Sequence, residues 1–243
     1  MAGRLLNVGV AAAALVVAAA ALRTVHAELA YADGLAFAKD PHTSPAADLP
    51  GRLECYEEAL RRDPGEALYA LRAAQIRLFR AAPRGGPVDT AGLAPARDLL
   101  ERAAAQRPLD SKIHATRAQL ERAARNLRGA EREAWIAVRT APRAPGPLTT
   151  ALSVGLAAWR ETGDPSYLRL ALTGGHGLQR IDASNRLPVL AAAFAEAGPE
   201  LAGDLLEATS GDAELRAYAA DRVRPVRPAV ADALAETSAA GGR

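Results

Sequence analysis

The side chains that most often perform chemistry in proteins are few in this sequence, and they lie far apart. The four histidines are His26, His42, His114 and His176, and the one cysteine is Cys55. No histidine has another histidine or the cysteine three to five residues away, which is the spacing typical of a zinc site. A single cysteine also excludes an intramolecular disulfide. The sequence therefore predicts no metal site, and it has no disulfide framework.

The glycine-dense segment LTGGHGLQR, residues 172–180, is the next candidate for a functional motif. It lacks the Lys-Ser or Lys-Thr ending and the preceding apolar strand of a phosphate-binding loop. We interpret it as a flexible turn that ends a helix. The carboxylates elsewhere alternate with arginines at helical spacing, which is typical of a solvated helix face, and no serine or cysteine stands in a nucleophile motif. We therefore expect a protein that is not an enzyme and that uses no cofactor.

The composition favours a chain made almost wholly of helices. Of its 243 residues, 49% are hydrophobic but only 4% are aromatic, and alanine is very abundant. Alanine is the best helix former and its small side chain lets helices pack closely. The net charge of +2 is too small for a dedicated nucleic-acid binder, which concentrates positive charge on one face. We predict an all-α fold that does not bind nucleic acid.

The first forty residues raise the question of a membrane segment. Residues 5–22 contain no charge and one polar side chain, Asn7, and they lie between Arg4 and Arg23. As a helix they would span about 27 Å, close to the ~30 Å hydrocarbon core of a bilayer. This predicts a transmembrane anchor within residues 1–27. Two alternatives stay open, a signal peptide cleaved after the small-x-small sequence at 25–27 and a helix of a soluble core.

Three later segments end in the same way and indicate an internal repeat. Pro64, Pro108 and Pro142 each follow an alanine by five residues, and the last two prolines are 34 residues apart. The earlier interval is 44 residues, and its extra ten fit in the Pro- and Gly-rich loop RAAPRGGPVDTAGLAP. Small residues recur on both helices of each unit. The small residues form two groups, which are Gly34, Ala74 and Ala118, and Ala59, Ala96, Ala103, Ala130 and Ala137. The prolines that close the units are Pro64, Pro108 and Pro142.

This pattern resembles the tetratricopeptide repeat (TPR), a helix-turn-helix unit of about 34 residues. The resemblance implies that Gly34, Ala74 and Ala118 lie on first helices where a partner helix crosses, and that the other five alanines pack on second helices. The large aromatic residues usual in the first helix of a TPR are mostly missing here. The resemblance implies an all-α, TPR-like solenoid of helical hairpins preceded by one transmembrane helix, with an irregular alanine-rich bundle as the alternative.

The domain organisation follows from this interpretation. We predict the anchor or signal peptide at 1–27, TPR-like repeats at 28–183, degenerate repeats with capping helices at 184–238, and a disordered tail at 239–243. Asp110, Asp164 and Asp212 precede periodic segments and predict helix starts. The predicted helices are 28–40, 49–62, 66–81, 93–106, 111–127, 129–140, 147–161, 165–173, 187–197, 199–209, 212–222 and 226–238.

TPR proteins generally bind protein partners in a groove lined by their first helices. Carried onto this chain, the resemblance implies six candidate polar contacts in such a groove, which are Arg72, Gln75, His114, Arg117, Gln119 and Arg122. The repeat style beside a membrane segment also resembles the repeat domains associated with bacterial O-antigen ligases and polysaccharide polymerases. The expected location is the bacterial inner membrane, with one pass and a periplasmic C-terminal domain.

The resemblance therefore predicts a membrane-tethered adaptor that binds an envelope protein. Two alternative functions stay open. One is an exported soluble TPR protein that binds a ligand directly, and the other is an accessory subunit that regulates an envelope enzyme. The arginine-rich segment DRVRPVRPAV, residues 221–230, is interpreted either as a contact for an acidic partner or lipid headgroups, or as a polar linker.

Overall fold

The computed structural model describes residues 2–37, 49–83, 86–182 and 187–240, with side chains described for residues 16–35 and, from residue 49 to residue 237, within these ranges. This part of the chain forms twelve α-helices and contains no β-strand, which confirms the predicted all-α class. The helices are α1 (Ala2–Phe37), α2 (Leu49–Arg62), α3 (Ala67–Ala81), α4 (Leu93–Gln106), α5 (Ser111–Ala123), α6 (Leu127–Thr140), α7 (Pro145–Thr162), α8 (Pro165–Ile181), α9 (Pro188–Glu196), α10 (Leu201–Ala208), α11 (Ala213–Val223) and α12 (Pro228–Ala240).

Aspartates begin three of these helices, as the sequence predicts. The side chain of Asp110 accepts a hydrogen bond from the Lys112 backbone N–H at 2.8 Å, and Asp164 accepts one from the Ser166 N–H at 2.9 Å. Asp212 caps α11 in the same way. These carboxylates satisfy backbone donors that the first turn of a helix cannot pair internally.

Prolines end three of the helices with the same geometry. The last helical hydrogen bonds of α2, α4 and α6 run from Asp63, Arg107 and Ala141 to the carbonyls of the alanines four residues earlier, at 2.9, 2.9 and 3.1 Å. Pro64, Pro108 and Pro142 come next in the chain. The α-helical region is disfavoured for the residue before a proline, as the φ of −131° and ψ of 73° at Arg107 illustrate. The repeated sequence ending is therefore a repeated structural ending.

The predicted turn at residues 172–180 is wrong, because α8 continues as a helix to Ile181. Its glycines allow close packing instead of ending the helix. A Cβ on Gly174 would lie 2.6 Å from the Leu148 carbonyl oxygen, and one on Gly177 would lie 2.5 Å from a methyl carbon of Leu148. On the facing helix, Gly155 approaches the backbone of Ala171 equally closely. Helices α7 and α8 therefore cross with their backbones almost touching.

The chain divides into two compact units, Met1–Pro108 and Leu109–Arg243. In the first unit, α1 packs on α2 and α3 packs on α4, with α2 and α3 joining the two hairpins. Its core includes Leu53, Tyr56, Ala73 and Ile76. The ring of Tyr31 lies 5.6 Å from that of Tyr56, so an aromatic contact closes the first hairpin.

The second unit contains α5 to α12 and a continuous buried core. Helices α5 and α6 form one hairpin and α7 and α8 form the next, and α7 contacts both α5 and α6. Helices α10 and α11 then pack on α8, and α12 packs on α10 and α11. The core includes Leu168, Leu172, Leu190, Phe194 and Leu205, all fully buried. This unit holds the C-terminal helices that the sequence assigned to degenerate repeats and caps.

Helix α1 runs without a break from the apolar N-terminal stretch into the first hairpin. Residues 16–26 are exposed, and Val16 and Val17 are each 69% exposed, whereas Ala27 is fully buried. Over the part of the chain with described side chains, no helix has both the length and the apolar character needed to cross a membrane. Of the predicted span at 5–22, residues 5–15 lie outside the described side chains.

Candidate functional site

Two of the six residues predicted to line a groove lie on α3 in the first unit. Arg72 and Gln75 are partly buried, and Nη1 of Arg72 donates a hydrogen bond to Oε1 of Gln75 at 3.1 Å. They stand beside Ala73 and Ala74, which are fully buried. The pair is therefore a polar patch at the edge of a packed helix face.

The other four predicted groove residues lie on α5 in the second unit, where they divide into two sets. Gln119 and Arg122 are exposed. Nε2 of Gln119 donates to Oγ1 of the buried Thr150 on α7 at 3.3 Å, which ties α5 to the first helix of the next hairpin. Gln119 and Arg122 therefore form an accessible surface, which we call the α5 face.

His114 and Arg117 point toward α6 of their own hairpin instead. The side chain of His114 is 7% exposed, and its Nδ1 lies 2.8 Å from Oε2 of Glu133, whose side chain is 4% exposed. Nη2 of Arg117 lies 3.3 Å from the other oxygen of Glu133. Buried charges are tolerated only when they are paired and hydrogen-bonded. This cluster therefore fastens α5 to α6, and His114 offers no surface to a partner.

Glu133 is a residue that the sequence interpretation missed. In the segment GAEREAW, residues 129–135, carboxylates that alternate with arginine predict a solvated charged face, yet Glu133 is 3% exposed. The signal was present in the spacing, because Glu133 follows Ala130 by three residues and precedes Ala137 by four. Residues three and four apart share a helix face, and both alanines are fully buried.

The small residues predicted to pack at helix crossings are all buried. Gly34, Ala59, Ala74, Ala96, Ala103, Ala118, Ala130 and Ala137 belong to this set, and the seven alanines have no exposed surface. A Cβ on Gly34 would lie 2.5 Å from the ring of Tyr56 on α2. Small side chains at these positions let the paired helices approach closely.

A cavity of about 350 Å³ lies in the second unit where α7 and α9 end and α10 begins. Nε1 of Trp159 donates a hydrogen bond to Oδ2 of Asp204 at 2.9 Å, which ties α7 to α10. Nη2 of Arg160 lies 3.1 Å from Oε2 of Glu196. Glu200 completes the charged lining. No sequence motif marks this cavity, since its residues come from three helices.

The arginines of the segment 221–230 are engaged within the second unit. The guanidinium of Arg222 lies 5.5 Å from the ring centroid of Tyr218. Nη1 of Arg224 lies 2.8 Å from Oδ1 of Asp232. Arg227 donates to the Ala197 carbonyl at the end of α9. These contacts give all three arginines structural partners at helix ends.

Cys55 lines a cavity of about 440 Å³ between α1 and α2, together with His26 and Glu58. Burial raises the pKa of the Cys55 thiol, and the nearby carboxylates of Asp33 and Glu54 raise it further. A raised pKa lowers the thiolate fraction and with it the nucleophilicity of the sulfur. Within the described ranges, no three His, Cys, Asp or Glu side chains are grouped so that they could hold a metal ion.

Comparison with known proteins adds no family to these observations. No family model matches the chain, and no curated protein is found to match it.

Proposed function

We propose that this chain is a non-catalytic scaffold that binds a protein partner through the α5 face. The single observation that carries the proposal is that α5 has one buried set of side chains and one exposed set. Its small and apolar residues, such as Ala118 and Leu120, are buried against neighbouring helices, while Gln119 and Arg122 are exposed. Because the helix backbone is already ordered, it loses little conformational entropy when a partner binds.

Helix packing supports the rigidity that this function needs. Helix α5 is held to α6 by the buried Glu133 cluster and to α7 by the hydrogen bond from Gln119 to Thr150. Precise positioning of binding side chains depends on such supporting contacts. Arg122 presents five hydrogen-bond donors to a carboxylate or carbonyl of the partner.

We further propose that residues 5–22 anchor the scaffold in the inner membrane of a bacterium. The uncharged length between Arg4 and Arg23 supports this proposal. The unbroken helix α1 supports it as well, because it joins this stretch to the first hairpin without a hinge. The first hairpin would then stand at a fixed height on the periplasmic side, and the chain would serve envelope assembly, with polysaccharide machinery as the partner class that the repeat style favours.

Membrane extraction tests the anchor. Membranes from cells that express the chain are washed with alkaline carbonate, which releases peripheral proteins. We expect the chain to stay in the pellet and to carry an uncleaved N-terminus by mass spectrometry. Release of the full-length chain would contradict the anchor, and a mature chain that begins at Glu28 would show a cleaved leader instead.

Capture of the partner tests the scaffold function. Arg122→Glu reverses a charge on the α5 face, and Arg132→Glu makes the same change at an exposed position on α6. After crosslinking in cells and purification, we expect one protein to be recovered with the unchanged chain and with the Arg132 variant. Its yield should fall at least about fivefold with the Arg122 variant, as the loss of a charged contact implies. Equal yields from the two variants would contradict a role for the α5 face.

A further inference from the structure

We propose that the cavity beside Trp159 binds a positively charged side chain, the guanidinium of an arginine or the ammonium of a lysine, from a protein partner. The cavity, called here the Trp159 cavity, is lined by Trp159, Arg160, Glu196, Glu200, Leu201 and Asp204. This inference names a second contact and its chemistry, and in assigning the cation to a protein it rests on the scaffold function proposed above.

The charges around the Trp159 cavity are unbalanced. Three carboxylates and one guanidinium line it, and Arg160 is paired with Glu196. Asp204 accepts from the indole of Trp159, a neutral donor. Within the described chain, Glu200 has no cation as its partner. A bound cation would complete this arrangement, because complementary charge both attracts and orients a ligand.

The walls of the cavity suit a cation that is carried on an apolar stem. Ala193 and Leu201 are each 1% exposed and give the cavity an apolar floor. The methylenes of arginine or lysine pack on such surfaces while their charge reaches polar groups. The indole of Trp159 is 7% exposed and forms part of the wall, with its Nε1 directed at Asp204. At Gly163, no atom lies within 4 Å of where a Cβ would stand, so this side is open to an entering group.

Arg227 shows that this part of the fold accepts a guanidinium. Its Nη2 donates to the carbonyl of Ala197 and approaches that of Ala195 at 3.5 Å. These carbonyls belong to the end of α9, where the helix dipole favours positive charge. The guanidinium of Arg227 is already hydrogen-bonded to backbone carbonyls. Arg227 and Arg160 together supply two positive charges, fewer than the three negative charges of the carboxylates.

Fluorescence of Trp159 provides a direct test with the whole chain in a non-ionic detergent. The sequence contains two tryptophans, so Trp135→Phe leaves Trp159 as the only reporter. The probes are the peptide acetyl-Gly-Arg-Gly-amide, its uncharged citrulline counterpart, and agmatine as a small guanidinium without a peptide. We expect a saturable change in emission with the arginine peptide and none with the citrulline peptide.

Two matched variants locate the binding. Glu200→Gln removes a carboxylate from the cavity, and Glu207→Gln makes the same change on α10 outside it. We expect Kd for the arginine peptide to rise at least about fivefold with the first variant and to stay within about twofold with the second. Equal effects of the two variants, or no saturable change in the Trp135→Phe chain, would overturn the site.

The source of the cation is decided by comparing the probes. An arginine peptide that binds at least as tightly as agmatine supports a side chain of a protein partner. Binding of agmatine without binding of the peptide would overturn that assignment and leave a small cation as the ligand. Because these titrations use purified chain and defined probes, they can fail while partner capture through Arg122 succeeds, and the reverse also holds.

Discussion

Gly174 of α8 lies so close to Leu148 of α7 that a Cβ on the glycine would come within 2.6 Å of the leucine carbonyl oxygen. A Cβ on Gly155 would likewise meet the backbone N of Ala171 at 2.6 Å. Two glycines, one on each helix, thus replace side-chain packing by contact between backbones. This crossing closes the α7–α8 hairpin, in which α7 packs on α5 and α6 while α8 packs on α10 and α11.

Substitution at this crossing should destabilise the second unit. Gly174→Ala gains helix propensity of roughly 1 kcal/mol, but the added methyl group must push the two backbones apart at a cost of about 1–3 kcal/mol. We expect a net loss of about 1 kcal/mol in the free energy of unfolding. Urea unfolding followed by tryptophan fluorescence measures it, since both tryptophans lie in the second unit.

Gly203→Ala is the matched control for this prediction. Gly203 lies in α10, and a Cβ there would have no atom within 4 Å. The control should gain up to about 1 kcal/mol from helix propensity alone. If both variants were stabilised equally, the close contact between α7 and α8 would not constrain residue 174.

Removal of the buried carboxylate should loosen the α5 hairpin. Glu133→Ala takes away the acceptor that His114 and Arg117 share. Breaking a buried ion pair on one side costs about 3 kcal/mol. Glu161→Gln, an exposed change on α7, should cost less than about 0.5 kcal/mol. Urea unfolding compares the two variants, and equal stability would show that the Glu133 cluster contributes nothing.

The cap of α8 should contribute to stability in a pH-dependent way. The hydrogen bond from the Ser166 backbone N–H, aided by Arg128, lowers the pKa of Asp164 below its usual value of about 3.9. The charge of Asp164 therefore stabilises the fold above that value, and this contribution is lost as the pH falls through the lowered pKa. The sign of the effect is a loss of stability in acid.

Asp164→Asn isolates that contribution, because asparagine caps helices as well as aspartate does. At pH 7 the variant should lose up to about 1 kcal/mol with the surface pair to Arg128. The difference from the unchanged chain should shrink at pH 3. Urea unfolding at both pH values is the measurement, and a constant difference would exclude the charge of Asp164 as its cause.

Cys55 should react slowly with alkylating reagents at neutral pH. Burial and the carboxylates of Asp33 and Glu54 raise its pKa, so less thiolate is present than in an ordinary cysteine. The rate of labelling by iodoacetamide should be below that of N-acetylcysteine amide at pH 7.5 and should rise over a higher pH range. A rate that matches or exceeds the small thiol would contradict an inert role for Cys55.

Much of the secondary structure could be predicted from local chemistry. The bounds of α2 and α4 match the predicted 49–62 and 93–106, because proline fixes where each helix ends. Asp110 and Asp164 mark helix starts through caps that involve only neighbouring residues. Such signals need no knowledge of tertiary contacts.

Tertiary contacts decide what the sequence interpretation missed. Gly174 and Gly177 look like helix breakers until α7 is known to pack against them. Glu133 looks solvated until its place between buried alanines is considered. The Trp159 cavity joins side chains 45 residues apart, such as Trp159 and Asp204, and no local pattern predicts it.

Site-specific photocrosslinking in cells tests most directly the central claim that the α5 face binds a protein. A photoreactive phenylalanine derivative is placed at Gln119 in one version of the chain and at Arg132 on α6 in another. The scaffold function predicts a discrete crosslinked product at Gln119, identified by mass spectrometry as one envelope protein, and no such product at Arg132. Absence of any product at Gln119, or the same products at both positions, would contradict it.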